Sequence, residues 1–375
     1  MLKSTADALG IIFPNTYDNL IPEMISNRTM ASIPFGGRYR MVDFVLSGFA
    51  NAGISNVSVM VKRNYHSLMD HLGSGREWDL TRKHGGLNLV PPYAEAGVKM
   101  YRGRVEALAS IVDFLQDQTE EYVIMADTNI AFTFDFKQLI KAHVESGADV
   151  TIMYEKREIP ESLKEDNYTL RMQEGGRVTE LLTNDYRPGV QNLSMSVYVM
   201  QREALITMVK DATIRGLVYF EKDILARNLE LLNVRGYEYT GYTARIADRK
   251  TYFDENMRLL NPDNLDQLFP KELPVYTKVH DNAPTRYAMD CKAKNCLVAD
   301  GCIIEGEVEN CVLFRGVQVK KGAKVKNCVL MQNTVVEAGA EVEYLVTDKN
   351  VKITAEKKLA GTDSFPVYVA KNHTV

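Results

Sequence analysis

Short apolar runs alternate with amphipathic segments through the first two thirds of the chain. Runs at Ala8–Phe13, Ser55–Val61 and Tyr122–Ala126 are rich in aliphatic residues, which predicts buried strands. Between them, apolar residues three and four positions apart predict helices over residues 41–49, 65–72, 104–115 and 136–145. Strands and helices that alternate in this order predict an α/β domain with a mostly parallel sheet.

The pattern changes after residue 261. Residues 262–290 contain four prolines and little periodicity, which predicts a linker between residues 1–261 and residues 291–375. In the last segment aliphatic residues recur every six positions, as at Leu313 and Val319. This repeat predicts a left-handed parallel β-helix of two coils with a C-terminal tail. Two coils are scarcely stable alone, so we expect the faces and edges of the helix to contact another subunit.

Composition and charge exclude several classes of function. The 375 residues suffice for two domains, and a net charge of −4 offers no basic field for nucleic acid. No apolar run approaches the roughly 18 residues of a membrane span, and the N-terminus lacks the features of a signal peptide. Five cysteines lie between Cys291 and Cys328 without zinc-site spacing. We therefore expect reduced, buried thiols, no metal site and a cytoplasmic location.

A polar segment directly precedes the first predicted helix, over residues 41–49. Gly36 and Gly37 are followed at once by Arg38, Tyr39 and Arg40. Backbone N–H groups at a helix start and guanidinium groups both favour phosphate, so this turn suits an anionic, hydroxyl-rich ligand. An ordinary turn with solvated arginines explains the same pattern equally well.

The same segment, PFGGRYRMVDFVLSGFANAGI, is similar to the PFGGKYRIIDFxLSNxxNSGI element of the ADP-glucose pyrophosphorylases. The resemblance continues through HSLMDHLGSGREWDLTRKHGGLNLVPP, through YRG at Tyr101–Gly103, and into the C-terminal repeats. It implies a Rossmann-like nucleotidyltransferase domain with a mixed, mostly parallel sheet, followed by the β-helix. It also implies a reaction of ATP with glucose 1-phosphate in which magnesium neutralises developing charge.

The loop after the first strand departs from the family. Catalytic members have a GGxG(T/S)RL loop there, whereas Pro14–Leu20 contains no glycine, one proline and an aspartate that repels phosphate. Further on, Arg28 is kept in a segment that resembles the family's xRAKP, but Met30 replaces its lysine.

Both aspartate positions that the resemblance assigns to magnesium are altered. Asn129 replaces the aspartate of the family's SGDHIYKMDY run, and Arg245 replaces that of a WRDIGT-like run. Asparagine lacks the charge that holds a hard dication, and arginine repels it. Losing roughly 4 kcal/mol of metal stabilisation slows a reaction about a thousandfold. Asp127, two residues before Asn129 and on the same strand face, could substitute as a ligand or could instead have a structural capping role.

Other family positions suggest a remnant of the sugar and nucleotide cleft. The resemblance assigns this role to Gly36, Gly37, Gly103 and Ser194, although Ser194 could simply pack within its strand. Trp78 could form a wall of the cleft or anchor its loop on the core.

A chain with altered catalytic positions in an intact scaffold resembles the members of the non-catalytic branch of the family. The resemblance then implies a regulatory subunit that assembles with a catalytic subunit, for which magnesium acts, into a heterotetramer. Arg28, Arg38 and Arg40 are the candidates for binding a sugar-phosphate effector. Two alternatives are a self-sufficient adenylyltransferase that uses Asp127, and an acyltransferase, whose usual histidine is missing from the repeats.

Overall fold

The computed structural model describes residues 7–91 and 100–375. The interpretation of the N-terminus as free of a signal peptide includes residues 1–6, which lie outside these ranges. Within them, a sheet-and-helix domain is followed by a parallel β-helix, as the resemblance implies. No helix in the described part is long and apolar enough to cross a membrane.

The first domain alternates strands and helices, as the hydrophobic pattern predicts. Its strands are β1 (Ala8–Phe13), β2 (Pro34–Phe35), β3 (Tyr39–Arg40), β4 (Asn56–Met60), β5 (Gly86–Val90), β6 (Tyr122–Asp127), β7 (Ile130–Ala131), β8 (Val150–Glu158), β9 (Tyr168–Met172), β10 (Val178–Thr183), β11 (Val190–Gln201), β12 (Val234–Glu238) and β13 (Ala244–Arg245). Its helices are α1 (Met41–Asn51), α2 (His66–Leu72), α3 (Arg104–Ala109), α4 (Val112–Gln116), α5 (Phe136–Ser146), α6 (Arg202–Ile214) and α7 (Arg249–Arg258). The single helix predicted over residues 104–115 is therefore two short helices, broken where Ser110 Oγ donates a hydrogen bond to the Ala107 carbonyl.

The main sheet is mixed. Strands β5, β4, β1 and β6 are joined by parallel pairings, and β8 and β12 pair in parallel as well. The long strand β11 pairs antiparallel with β6, β8 and β9, and β9 and β10 form a hairpin. The share of parallel pairings is thus smaller than predicted, because β11 returns through the middle of the sheet.

Strand β1 shows why its apolar run is continuous. Ala8 and Ile12 join the core on one face of the sheet, whereas Leu9, Ile11 and Phe13 join the core on the other. A strand covered by helices on both faces has no solvated side and needs apolar residues throughout.

The β-helix starts earlier and is longer than predicted. Its strands are β14 (Arg286–Tyr287), β15 (Lys292–Val298), β16 (Ile303–Ile304), β17 (Glu307–Leu313), β18 (Gln318–Val319), β19 (Lys324–Leu330), β20 (Val335–Val336), β21 (Glu341–Glu343), β22 (Leu345–Thr347), β23 (Lys352–Ile353), β24 (Lys358–Ala360) and β25 (Val367–Val369). In the described chain β14, β16, β18, β20 and β23 stack in one ladder, and β15, β17, β19, β21 and β24 stack in another. Five stacked strands exceed the two coils predicted, and the predicted linker contains a further helix, α8 (Pro262–Leu268).

Stacked asparagines turn the corners of the β-helix. Asn295, Asn310 and Asn327 adopt φ angles of 50°, 51° and 50°, a left-handed conformation that asparagine tolerates better than most residues. The Asn295 amide donates to Asn310 at 2.8 Å, and the Asn310 amide donates to Asn327 at 3.2 Å. Cys311 and Cys328 follow two of these corners and are buried, and all five cysteines are free, as predicted, although Cys291 and Cys296 are only half-buried.

Candidate functional site

A cleft opens beyond the carboxyl ends of β1 and β6, where Phe13 and Asp127 lie side by side in register. In open α/β sheets, ligands bind in such crevices. The cleft has a volume of about 370 Å³. Residues that line it or lie at its base include Thr16, Tyr17, Gly103, Arg104, Asn167 and Glu221.

An arginine held between two carboxylates fills the base of this cleft. Arg104 Nη2 donates to Asp127 Oδ2 at 2.8 Å, and Arg104 Nη1 lies 3.1 Å from Glu221 Oε1. Burial alone would lower the pKa of Arg104, but Asp127 and Glu221 raise it above its usual value. Thr16 Oγ1 also donates to Asp127 Oδ1 at 2.8 Å. Burial raises the pKa of Asp127 to about 6, although Arg104 opposes that shift.

Asp127 therefore has a partner other than a metal. The guanidinium of Arg104 occupies the direction in which a dication would approach its carboxylate, so the prediction of Asp127 as a substitute magnesium ligand does not fit the geometry. Within residues 7–91 and 100–375, no group of three or more histidine, cysteine or acidic side chains could hold a metal ion.

The two altered aspartate positions lie deeper in the fold. Asn129 is 1% exposed, lies outside the cleft lining, and neither polar atom of its side chain has a hydrogen-bond partner in the described chain. Arg245 is also buried, and its Nε donates to Glu155 Oε1 at 2.8 Å while its Nη2 donates to the Ser194 carbonyl at 2.9 Å. The family's magnesium does not fit this set of donors, since one position is neutral and the other is a cation with its own carboxylate.

The loop after β1 has a folded structure of its own instead of a phosphate cradle. Asp18 is 2% exposed and accepts hydrogen bonds from the Met30 backbone N–H at 2.8 Å and from the Asn15 amide at 2.7 Å. Burial raises the pKa of Asp18 despite these bonds. Asp18, which was expected from the sequence to repel phosphate, thus accepts the hydrogen bonds that hold the loop in its folded conformation.

Of the predicted remnant contacts, only Gly103 lines the cleft. A Cβ at Gly103 would lie 2.4 Å from the Val218 carbonyl oxygen, so a neighbouring backbone, not a ligand, accounts for the glycine. Ser194 Oγ accepts a hydrogen bond from the Ser196 N–H within the bulge of β11, which is the packing role. Trp78 is 1% exposed and packs edge-on against His71, so it is a loop anchor and not a cleft wall.

The Gly36-Gly37 turn lies at the junction of the two domains and not in the cleft. Both glycines have positive φ, at 60° and 84°, in the tight turn between β2 and β3. A Cβ at Gly37 would lie within 3.9 Å of Leu297 and Ala299 in the β-helix. The Gly36 N–H donates to Asn256 Oδ1 at 3.1 Å, which fixes the turn against α7.

Two of the three candidate effector arginines are held by protein groups. Arg28 is 4% exposed, and its Nη2 donates to both carboxylate oxygens of Asp348, at 2.6 and 2.8 Å. Arg40 Nη1 donates to the backbone and hydroxyl oxygens of Ser67, and burial lowers its pKa to about 10. Arg38 is exposed beside Tyr39. Arg28 is thus a link between the domains, which differs from the prediction of an effector contact.

Lys349, from the β-helix, completes a cluster of cations at this junction. Burial, together with the charges of Arg40 and Arg28, lowers its pKa to about 7, although Asp348 opposes that shift. Lys371 adds to this effect from the C-terminal tail. Cations forced together in a half-buried position favour an anion between them. No local feature of the sequence pointed to Lys349, because more than 300 residues separate it from Arg40.

The comparisons with known proteins agree with this architecture. The nucleotidyl transferase family model matches residues 26–230, and the model of the GlmU-like C-terminal hexapeptide region matches residues 278–365. The glycogen biosynthesis protein GlgD of Bacillus subtilis is 35% identical over 97% of this chain and 95% of its own length. GlgD of Geobacillus stearothermophilus is 34% identical over 84% of this chain and 82% of its own. A glucose-1-phosphate adenylyltransferase of Bacillus cytotoxicus is 32% identical over 80% and 81%. The chain belongs to the nucleotidyl transferase family, in the group that contains the GlgD proteins and the glucose-1-phosphate adenylyltransferases.

Proposed function

We propose that this member of the nucleotidyl transferase family is a regulatory subunit of glycogen biosynthesis with little or no turnover of its own. It would assemble with a catalytic glucose-1-phosphate adenylyltransferase subunit into a heterotetramer in the cytoplasm and raise the rate of that subunit. Similarity to two GlgD proteins supports the role in glycogen biosynthesis.

The observation that carries the proposal is the fate of the metal-binding positions. Asn129 is buried and neutral, and Arg245 is buried and paired with Glu155. Neither side chain can therefore supply the negative charge that would bind a dication for a reaction on the triphosphate of ATP. The scaffold around them is complete, which favours a role for the chain beside a catalytic partner.

The open end of the β-helix supports assembly with another subunit. Tyr287 continues the interior file of Ile304, yet it is 51% exposed, and Met289 beside it is fully exposed. Terminal coils of repeat structures need a polar cap or a neighbouring subunit, because the row of side chains that fills the interior is otherwise exposed to water at the last coil. This end has apolar side chains where a cap would be polar.

A ladder of alternating charges on the neighbouring sheet of the β-helix supports a partner that differs from this chain. Lys292, Glu307, Lys324, Glu341 and Lys358 face one another in register from coil to coil. The ladder reaches the open end with a lysine, so an added strand that continued it would bring a carboxylate. Like charges directly opposite are destabilising, which disfavours a parallel, in-register pairing of this strand with its own copy.

The cation cluster at the domain junction supports regulation by an anionic effector such as a sugar phosphate. Lys349 and Arg40 are the groups best placed for it, because both are half-buried and the charge of Arg40 lowers the pKa of Lys349. A phosphate group between them would relieve this repulsion through charge-assisted hydrogen bonds.

Rate assays of ADP-glucose formation test the proposal. The chain, a catalytic subunit and a mixture of the two are assayed at equal total protein, with and without a sugar phosphate. We expect no more than background turnover by the chain alone and a faster rate in the mixture. Full turnover by the isolated chain, or a mixture no faster than the catalytic subunit alone, would overturn the proposal.

A further inference from the structure

The base of the cleft holds a positive charge supplied by the protein itself. Arg104, Asp127 and Glu221 are 8%, 3% and 4% exposed, so all three charges are largely removed from water. The guanidinium bridges the two carboxylates at 2.8 and 3.1 Å and stacks over the rings of Phe13 and Tyr198 at 4.5 and 5.2 Å. Two buried carboxylates beside each other require a cation, and here Arg104 is that cation.

The hydrogen bonding among Arg104, Asp127 and Glu221 is incomplete. Arg104 Nη1 and Glu221 Oε1 approach each other at 3.1 Å, but neither has a hydrogen-bond partner of good geometry among the described residues. Glu221 therefore holds Arg104 by charge more than by directional bonding.

We propose that Arg104 is a tethered cation that takes the place of a divalent metal, and that Asp127 and Glu221 form a latent dication site masked by its guanidinium. Thr16, which donates to Asp127 at 2.8 Å, offers a third oxygen. Carboxylate and hydroxyl oxygens are the ligands that hard dications prefer.

The natural chain and its variants should differ in how they respond to a dication. While Arg104 is present, a dication at the base of the cleft would be repelled at close range by the guanidinium. The thermal midpoint of the natural chain should be the same in EDTA and in millimolar Mn²⁺. Removing the guanidinium should expose both carboxylates to the ion.

Mn²⁺ titration of the chain alone, followed by electron paramagnetic resonance, tests this directly. Arg104→Ser should bind about one Mn²⁺ per chain at least tenfold more tightly than the natural chain, which corresponds to about 1.4 kcal/mol. Arg104→Lys keeps a cation in place and should not bind. Arg102→Ser is the matched control, because Arg102 lines the same cleft, is exposed and pairs with Glu106.

The double variant Arg104→Ser/Asp127→Asn locates the site, since it should lose the Mn²⁺ that Arg104→Ser gains. If Arg104→Ser fails to fold, refolding is followed by circular dichroism with and without Mn²⁺, and restoration by the ion supports the proposal. A folded Arg104→Ser without tighter Mn²⁺ binding, or refolding indifferent to Mn²⁺, would overturn it. No partner subunit takes part, so the result is independent of whether the chain activates one.

Discussion

Breaking the ion pair between the two domains should cost more stability than removing any exposed pair. In Arg28→Met the bidentate contact with Asp348, at 2.6 and 2.8 Å, is lost, and the Asp348 carboxylate stays 3% exposed. Removing one partner of a buried pair costs about 3–5 kcal/mol. Asp348 keeps hydrogen bonds from the Tyr368 hydroxyl and the Lys349 backbone N–H, at 2.8 and 2.6 Å. We therefore expect the lower end of that range, about 3 kcal/mol.

Urea unfolding followed by circular dichroism measures this loss. Arg249→Met is the control, because Arg249 lies 4.0 Å from Glu23 at the surface and such pairs contribute about 0–1 kcal/mol. Arg28→Met/Asp348→Asn should recover part of the loss, since no buried charge is left without a partner. A cost below about 1 kcal/mol for Arg28→Met, combined with weaker effector binding, would refute the structural role and return Arg28 to the effector site.

Three further outcomes follow from the charges described above. Lys349 must be protonated to hold an anion and its pKa is lowered to about 7, so sugar-phosphate affinity by calorimetry should fall roughly tenfold from pH 7.5 to 8.5, and Lys349→Arg should abolish this fall. Lys292→Glu/Lys294→Glu should weaken association with the catalytic subunit in mass photometry, whereas Lys358→Glu, at the opposite end of the ladder, should not; equal effects would contradict the docking role of the open end. The pKa of Asp127 is raised to about 6, so protonation of its carboxyl stabilises the fold below about pH 4, and this stabilisation is lost as pH rises through 6. Relative to Asp127→Asn, the free energy of unfolding of the natural chain in urea should therefore fall by about 1–3 kcal/mol over that interval. A difference between the two proteins that does not depend on pH would contradict this.

The parts of the fold that the sequence predicted are those in which burial is periodic. Ala8–Phe13 is continuous because both faces of β1 are covered, and the six-residue repeat follows from an interior file. The number of coils was underestimated because the repeat was followed only through aliphatic residues. Tyr287 and the asparagine corners belong to the same coils but interrupt that count.

The candidate site was less predictable, because its contacts join distant segments. Arg104 looked like one polar position on an amphipathic helix, and only the fold brings Asp127, 23 residues later, against it. Arg28 was predicted to contact an effector, but its partner is a carboxylate 320 residues away in the β-helix. Comparison with the family motifs identified the positions that differ, but it could not show which ion pairs the side chains at and near these positions form.

Two buried carboxylates of the first domain, Asp127 and Glu155, are neutralised in this way, which limits where the chain can still gain from a ligand. Arg104 neutralises Asp127, and Arg245 neutralises Glu155, so a dication arriving at either position would have to displace a buried guanidinium. At the domain junction the balance is reversed, because burial and the charges of Arg40 and Arg28 lower the pKa of Lys349. A dication therefore gains little beside Asp127 or Glu155, whereas an anion at the junction would lie between Arg40 and Lys349. The physical chemistry of the chain thus favours sensing of a phosphorylated ligand between its domains over metal-dependent chemistry at the end of its sheet.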